Sequence, residues 1–206
     1  MCYNKKYIIV SRGLYREVCM NEITHNRTSE YIARQLAEEI LSGCIPGGET
    51  LTQETLAAQL QTSRIPVREA LNILENHGLA RRLSTRHMVA AELSDDDIRE
   101  IFGILCDAEI MAMHNGIPQA DMLQPVRFHY AVSDMCGNPY LKKLLSGGTE
   151  YYIAYACSLD DAEHQAALLS EILGEQGAAR KKRLRIYFNE LAELVIDSRR
   201  KENEKC

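Results

Sequence analysis

Nine residues, Ser63-Arg64-Ile65-Pro66-Val67-Arg68-Glu69-Ala70-Leu71, restrict the fold of this chain more than any other stretch. Ser63 is a helix-capping residue type, able to accept a hydrogen bond from the amides that a helix start leaves unpaired. Pro66 suits a helix only in its first turn, where no amide donor is needed. Val67, Leu71 and Leu74, then Leu79, keep one face apolar at helical spacing, while Arg64, Arg68 and Asn72 fall on another. Cations at the positive end of a helix oppose its dipole unless a polyanion lies there. The stretch therefore predicts a helix whose N-terminus faces a phosphate backbone and whose first turns enter a groove.

The flanking sequence supplies the rest of a DNA-reading unit. Thr52 to Leu60 reads as a short capped helix and Gln61-Thr62 as a tight turn, so the two helices form a helix-turn-helix. Upstream, Ser29 to Gly43 carries the stripe Ile32, Leu36, Ile40 and Leu41, and Ile45-Pro46-Gly47-Gly48 breaks the chain. Downstream, Gly78 ends the recognition helix, and Leu79 to Leu83 and Met88 to Ala91 read as strands on either side of Ser84-Thr85-Arg86. The expectation is a winged helix-turn-helix over residues 28–92. Ser63, Arg64, Pro66 and Arg68 would meet the DNA, and Arg81, Arg82 and Arg86 would hold flanking phosphates.

The order Gly43, Ile45-Pro46-Gly47, Leu51, Leu56-Ala57, Ser63 to Leu71, Leu74-Glu75 and Gly78-Leu79 resembles the DNA-binding domain of GntR-type bacterial transcription regulators. Members of that family usually carry a glycine at the wing tip, where this chain has Arg86. A side chain resists positive φ, so a wing turn of different geometry is expected, with Arg86 offering a phosphate contact in place of a backbone one.

Charge agrees with this locally and opposes it globally. The net charge is −5, yet the span Arg64 to His87 holds five arginines against Glu69 and Glu75, and most of the acidic excess follows Ser94. A chain that is locally basic and globally acidic suits a regulator that leaves most DNA alone. Seven cysteines without a CxxC pair fit neither a disulfide framework nor a zinc finger, and imply reduced thiols in a cytoplasm. No apolar run reaches bilayer length, so no membrane partner is expected, and Tyr7-Ile8-Ile9-Val10 is too short for a signal-peptide core. Residues 1–27 are expected to be a poorly ordered extension.

From Ser94 onward the segments read as helices. Ser94 caps a helix with Asp95, Asp96 and Asp97 in its first turn and the stripe Ile98, Ile101, Phe102, Leu105 and Ala112, stopped by Asn115-Gly116. A second helix runs from Gln119 or Pro125 to Met135, broken by Gly137-Asn138-Pro139. Tyr140 to Leu145 is followed by a Gly147-Gly148 hinge and a helix from Glu150 to Ser158, whose Tyr151, Tyr152 and Tyr155 suit a bundle core or a dimer surface. Asp160 with Glu163 predicts a capping box, and a last helix spans Ala178 to Ser198 on Leu184, Tyr187, Phe188, Leu191, Leu194 and Val195. The fold class is mainly α: a winged helix-turn-helix, then an all-α antiparallel bundle over residues 93–200 and a frayed tail at 201–206.

This half resembles the effector-binding (FCD) domain of the FadR-type subgroup of GntR regulators, through Leu93 to Ile98, Phe128-His129, Gly137-Asn138 and Glu163-His164. The resemblance implies a dimerising bundle in which an Asp and three His hold a divalent metal of the zinc or nickel class beneath a small carboxylate effector. Carried over by position, His129 and His164 match two ligands, whereas the Asp falls on Pro125 and the third His on Tyr187. The family's effector-facing Arg has no counterpart near Leu105 or Cys106, and the chain is short of a helix between Glu109 and His129. Two imidazoles alone bind a divalent ion weakly. Three readings stay open: hydrogen-bonded core or interface histidines, a metal site completed by Asp134, Glu163 or a cysteine, or a metal-free effector pocket of His129, His164, Tyr187 and Asn138.

These readings predict a cytoplasmic transcription regulator that binds a pseudo-palindromic operator on double-stranded DNA as a homodimer, tuned by a small carboxylate or other metabolite. An alternative is a regulator whose C-terminal half only dimerises. A metal-dependent enzyme built on His129 and His164 lacks a full ligand set and a nucleophile with a matched base.

Overall fold

Caps and glycine-bearing turns set most element boundaries in the computed structural model, which describes residues 25–118 and 124–204. Most of the predicted N-terminal extension, residues 1–24, lies outside the described residues. Helix α1 (His25–Ser42) begins before Ser29 and buries Ile32, Leu36, Ile40 and Leu41. Helix α2 (Gln53–Gln59) is capped by the Thr52 side chain, which accepts from the Thr55 amide. Helix α3 (Arg64–Asn76) holds Pro66 in its first turn and buries Val67, Ala70, Leu71 and Leu74. Ser63 stands at its N-cap, but its side chain makes no capping hydrogen bond.

Strand β1 (Ala80–Arg82) pairs antiparallel with β2 (Met88–Ala90), Ala80 opposite Ala90 and Arg82 opposite Met88. Thr50 bridges Val89 beside them. The expected departure in the wing turn does not occur. Arg86 itself takes φ 68°, a glycine-like conformation costing a side-chain-bearing residue roughly 1 kcal/mol. The hairpin enforces it: the Leu83 amide donates to the His87 carbonyl at 2.8 Å and the Arg86 amide to the Leu83 carbonyl at 2.9 Å.

Helix α4 (Asp95–Ala112) opens with a reciprocal capping box between Ser94 and Asp97, then tightens into a 3-10 turn (Met113–Asn115) before Gly116. Helix α5 (Pro125–Asp134) takes the later of the two predicted starts, and residues 119–123 lie outside the described ones. Asn138 caps α6 (Pro139–Gly148). No hinge forms at Gly147-Gly148: α6 passes through a π-helical turn (Thr149–Ile153) into α7 (Ala154–Ser158). The two glycines serve close approach instead, because a β-carbon on Gly147 would lie 2.1 Å from the His77 ring and one on Gly148 2.1 Å from Leu105. Helix α8 (Ala162–Gly174) is capped by Asp161 rather than by the expected Asp160.

Helix α9 (Gly177–Asn203) runs past the predicted end at Ser198 into the expected tail. Arg199 donates to the Leu93 carbonyl at 2.6 Å and Arg200 pairs with Asp95 at 2.7 Å, so the last turns are docked against the start of α4. The buried apolar side chains form one cluster, from Ile32 and Leu74 in the first unit to Phe128 and Phe188 in the second. Across the seam, Tyr152 donates to the His77 carbonyl at 2.7 Å and Arg34 lies 3.0 Å from Glu150. Among the described residues no helix is long and apolar enough to cross a membrane.

Candidate nucleic-acid interface and the bundle histidines

With Val67, Ala70, Leu71 and Leu74 turned into the core, α3 presents Ser63, Arg64, Ile65, Arg68 and Asn72 to solvent. Ile65, which lies between Arg64 and Arg68 in the sequence, is 50% exposed. Pro66 is buried in the first turn of α3, so its side chain is not on the exposed face with Arg64 and Arg68. Arg64 lies 2.8 Å from Glu54 of α2, both exposed; such a surface pair is weak and readily exchanged for a phosphate. Arg68 has no hydrogen-bond or ion-pair partner among the described residues. Gln61, in the turn between α2 and α3, adopts φ 51°, and the amide of Thr62 is held on the Ala57 carbonyl at 3.0 Å. Nothing in the residue type announces that strained position, which sets the angle at which α3 leaves α2.

The three wing arginines have separate roles. Arg81 is 3.7 Å from Glu92, a loose exposed pair. Arg82 is fixed, donating to both Glu75 oxygens at 3.2 and 2.8 Å and to Asn72 Oδ1 at 2.9 Å. It ties β1 to α3 through these bonds, with its side chain 43% exposed. Arg86, at the wing tip, is exposed and has no partner among the described residues.

In the bundle, His129 and Tyr187 come together and His164 stays apart. His129 is fully buried on α5, with Nδ1 2.6 Å from Glu109 Oε1 on α4 and Nε2 3.1 Å from the Tyr187 hydroxyl on α9. The His129 and Tyr187 rings stack at 5.8 Å between centroids, and Cys157 Sγ is 3.9 Å from the Tyr187 oxygen. Burial opposes charge on His129, but the Glu109 carboxylate outweighs it and pushes the imidazole pKa up to about 10. Burial likewise raises the Tyr187 phenol well above its ordinary range. This geometry suits an imidazolium facing the Glu109 carboxyl, in which form Nε2–H donates to the Tyr187 oxygen.

Sequence reasoning missed Glu109, although a signal existed. It is a carboxylate on the stripe of α4 that also carries Ile98, Phe102, Leu105 and Ala112, all buried. His164 is exposed and pairs with Asp160 at 2.8 Å, which raises its pKa. Asn138 Oδ1 is committed to the amides of Tyr140 and Leu141, and Asp134 to Lys142 at 2.9 Å. Among the described residues no three His, Cys, Asp or Glu side chains converge to hold a metal ion. The residues present do not fit the family's metal centre, because both His129 nitrogens already have partners and His164 faces solvent.

Residues 28–89 match the sequence profile of bacterial regulatory proteins of the gntR family. The gluconate operon transcriptional repressor of Bacillus subtilis is 38% identical over 77 residues, 37% of this chain and 31% of the repressor, so the chain spans under a third of that relative. Among solved structures, E. coli McbR/YncC superposes with a TM-score of 0.52 at 17% identity, covering 88% of this chain and all of that one. A GntR transcriptional regulator from Rhodococcus sp. RHA1 gives 0.51 at 17% identity, over 82% and 97%. At these identities the likeness is one of fold. Over residues 28–89 the chain is similar to the gntR family of bacterial regulatory proteins, and those residues fold as a winged helix-turn-helix.

Proposed function

We propose that the chain is a transcription regulator of the FadR-type subgroup that reads a pseudo-palindromic operator as a homodimer. One observation carries this reading: α3 buries one face completely while its first turns present Arg64 and Arg68 outward, beside a wing tipped by Arg86. The gntR-family match over the same residues supports it. Arg68, without a protein partner, is the base-edge or phosphate contact. Arg64 exchanges Glu54 for a phosphate, and Arg86 anchors the wing. A dimer places two such helices in successive major grooves, which matches operator symmetry to protein symmetry.

The test is selection of duplexes from a random library by the full chain, followed by titration of the winners with Arg68→Ala. The expected loss is about 5- to 150-fold, about 1–3 kcal/mol, with far-UV circular dichroism unchanged because Arg68 is exposed. Undiminished affinity would remove Arg68 from the interface. The packed Glu109–His129–Tyr187 cluster also favours a bundle whose interior has lost the family's metal-borne effector and serves dimerisation.

A further inference from the structure

At the seam between the two units, a cleft of about 430 Å³ opens where the end of α3 meets α4 and α6. That volume falls within the range that takes small ligands. Its apolar lining includes Ile104, Tyr140 and Leu144, which are 58%, 79% and 39% exposed. Lys143 lines the same cleft, is exposed, and has no ion-pair partner among the described residues. No carboxylate is among the described lining residues. His77 closes one side; burial and the nearby Lys143 hold its pKa below the ordinary range, against the pull of Glu150. An apolar cleft with an uncompensated cation and a neutral imidazole is complementary to one chemical class.

We propose that this cleft binds a small amphipathic monoanion, its acyl or aryl body against Ile104, Tyr140 and Leu144 and its acidic head on Lys143, with His77 as hydrogen-bond partner. Such a ligand touches both units at once, because His77 ends the recognition helix whereas Ile104 and Lys143 belong to the bundle. Three contacts pin His77 to the bundle: the Tyr152 hydroxyl on its carbonyl, the Tyr151 ring against its own, and the bare Gly147 beneath that ring. Occupancy of the cleft therefore favours one position of α3 relative to the bundle, and with it one spacing of the reading heads. The site itself stands on the cleft alone; only its effect on DNA rests on the reading proposed above.

The test titrates the full chain with 8-anilinonaphthalene-1-sulfonate, an aryl body bearing one anion, with sodium octanoate as competitor. The expected result is a saturable fluorescence gain at one probe per chain, displaced by octanoate. Lys143→Gln should weaken it about tenfold and Ile104→Trp, which fills the cleft, should abolish it, both with unchanged melting temperatures. Equal probe affinity in wild type and both variants overturns the proposal. It is also overturned where the wild type shows no saturable site; a lower solution mass for Ile104→Trp than for the wild type would then assign the cleft to a second copy. A probe site that behaves as expected in a chain selecting no duplex upholds the cleft and overturns only the DNA-binding reading.

Discussion

Arg86 and His129 show how single side chains here are held away from their preferred states. Arg86 keeps φ 68° at the wing tip, where a β-carbon crowds the next carbonyl. Arg86→Gly is expected to raise stability to denaturant by about 0.5–1 kcal/mol while making the salt dependence of duplex binding shallower by about one phosphate contact. A loss of stability would mean that the arginine makes a contact offsetting its strain. For His129 the sign follows from linkage. Its pKa is near 10 when folded, against an ordinary value of 6.5, so the folded chain holds a proton that the unfolded chain has released above pH 6.5. The stabilisation is complete below pH 6.5 and disappears as pH rises towards 10, with a slope of up to about 1.4 kcal/mol per pH unit. Denaturant unfolding at pH 7, 8 and 9 should show that slope in the wild type and lose it when Glu109 and His129 are both replaced by Met; equal slopes would refute the ion pair. The buried and exposed faces of α3 were legible because the proline and the apolar spacing are local in Ser63 to Leu71, although the Ser63 side chain makes no capping hydrogen bond. The Glu109–His129 pair was not, because the partners lie 20 residues apart on different helices. The bonding of Arg82 to Glu75 and Asn72 likewise depends on the hairpin folding back over α3.

At the scale of elements, the same residue type has opposite uses on two packed helices. Gly103 in α4 has nothing within 4 Å of the position its β-carbon would take, whereas on Gly148 that carbon would meet Leu105 at 2.1 Å. Helix propensity favours alanine over glycine by about 1 kcal/mol at either site, and overpacking costs roughly 1–3 kcal/mol only at the second. Gly103→Ala should therefore raise the unfolding midpoint and Gly148→Ala lower it, measured side by side; a gain at both would show that α6 can move away from α4 without cost. The pair Gly147-Gly148 misleads sequence reading for this reason. Glycine frees the backbone of an isolated chain, but here His77 and Leu105 fill the space that a hinge would need, and the helix continues through Thr149–Ile153. Caps are better guides. Ser94 with Asp97 and Thr52 with Thr55 form as their spacing predicts, since each is satisfied within one turn. The cap of α8 shifts from Asp160 to Asp161 because Asp160 is taken by His164 and Gln165.

At the scale of the whole molecule, the expected boundary near residue 92 does not divide the buried core in two. The buried cluster runs through both units, and the seam carries the Tyr152–His77 hydrogen bond, the Arg34–Glu150 pair and the Arg199–Leu93 bond that draws the end of α9 onto the start of α4. The sequence predicts a bundle core or a dimer surface for the tyrosine-rich segment. Tyr151 and Tyr152 are buried, and the Tyr151 ring lies against His77 at 4.7 Å between centroids, tilted by 39°, so residues that fill the bundle also hold the end of α3. A shared core of this kind makes the units unfold together. Circular dichroism and tyrosine fluorescence are expected to give coincident denaturation curves for the full chain. Tyr152→Phe keeps the ring and removes only the hydroxyl donor to the His77 carbonyl, so its cost should be about 1 kcal/mol, with the curves still coincident because the apolar seam survives. Two separated transitions in the wild type would show that the head and the bundle are thermodynamically independent. In that case a ligand at their junction would have no common equilibrium to shift, since an effector acts on a distant site only through a state that both share.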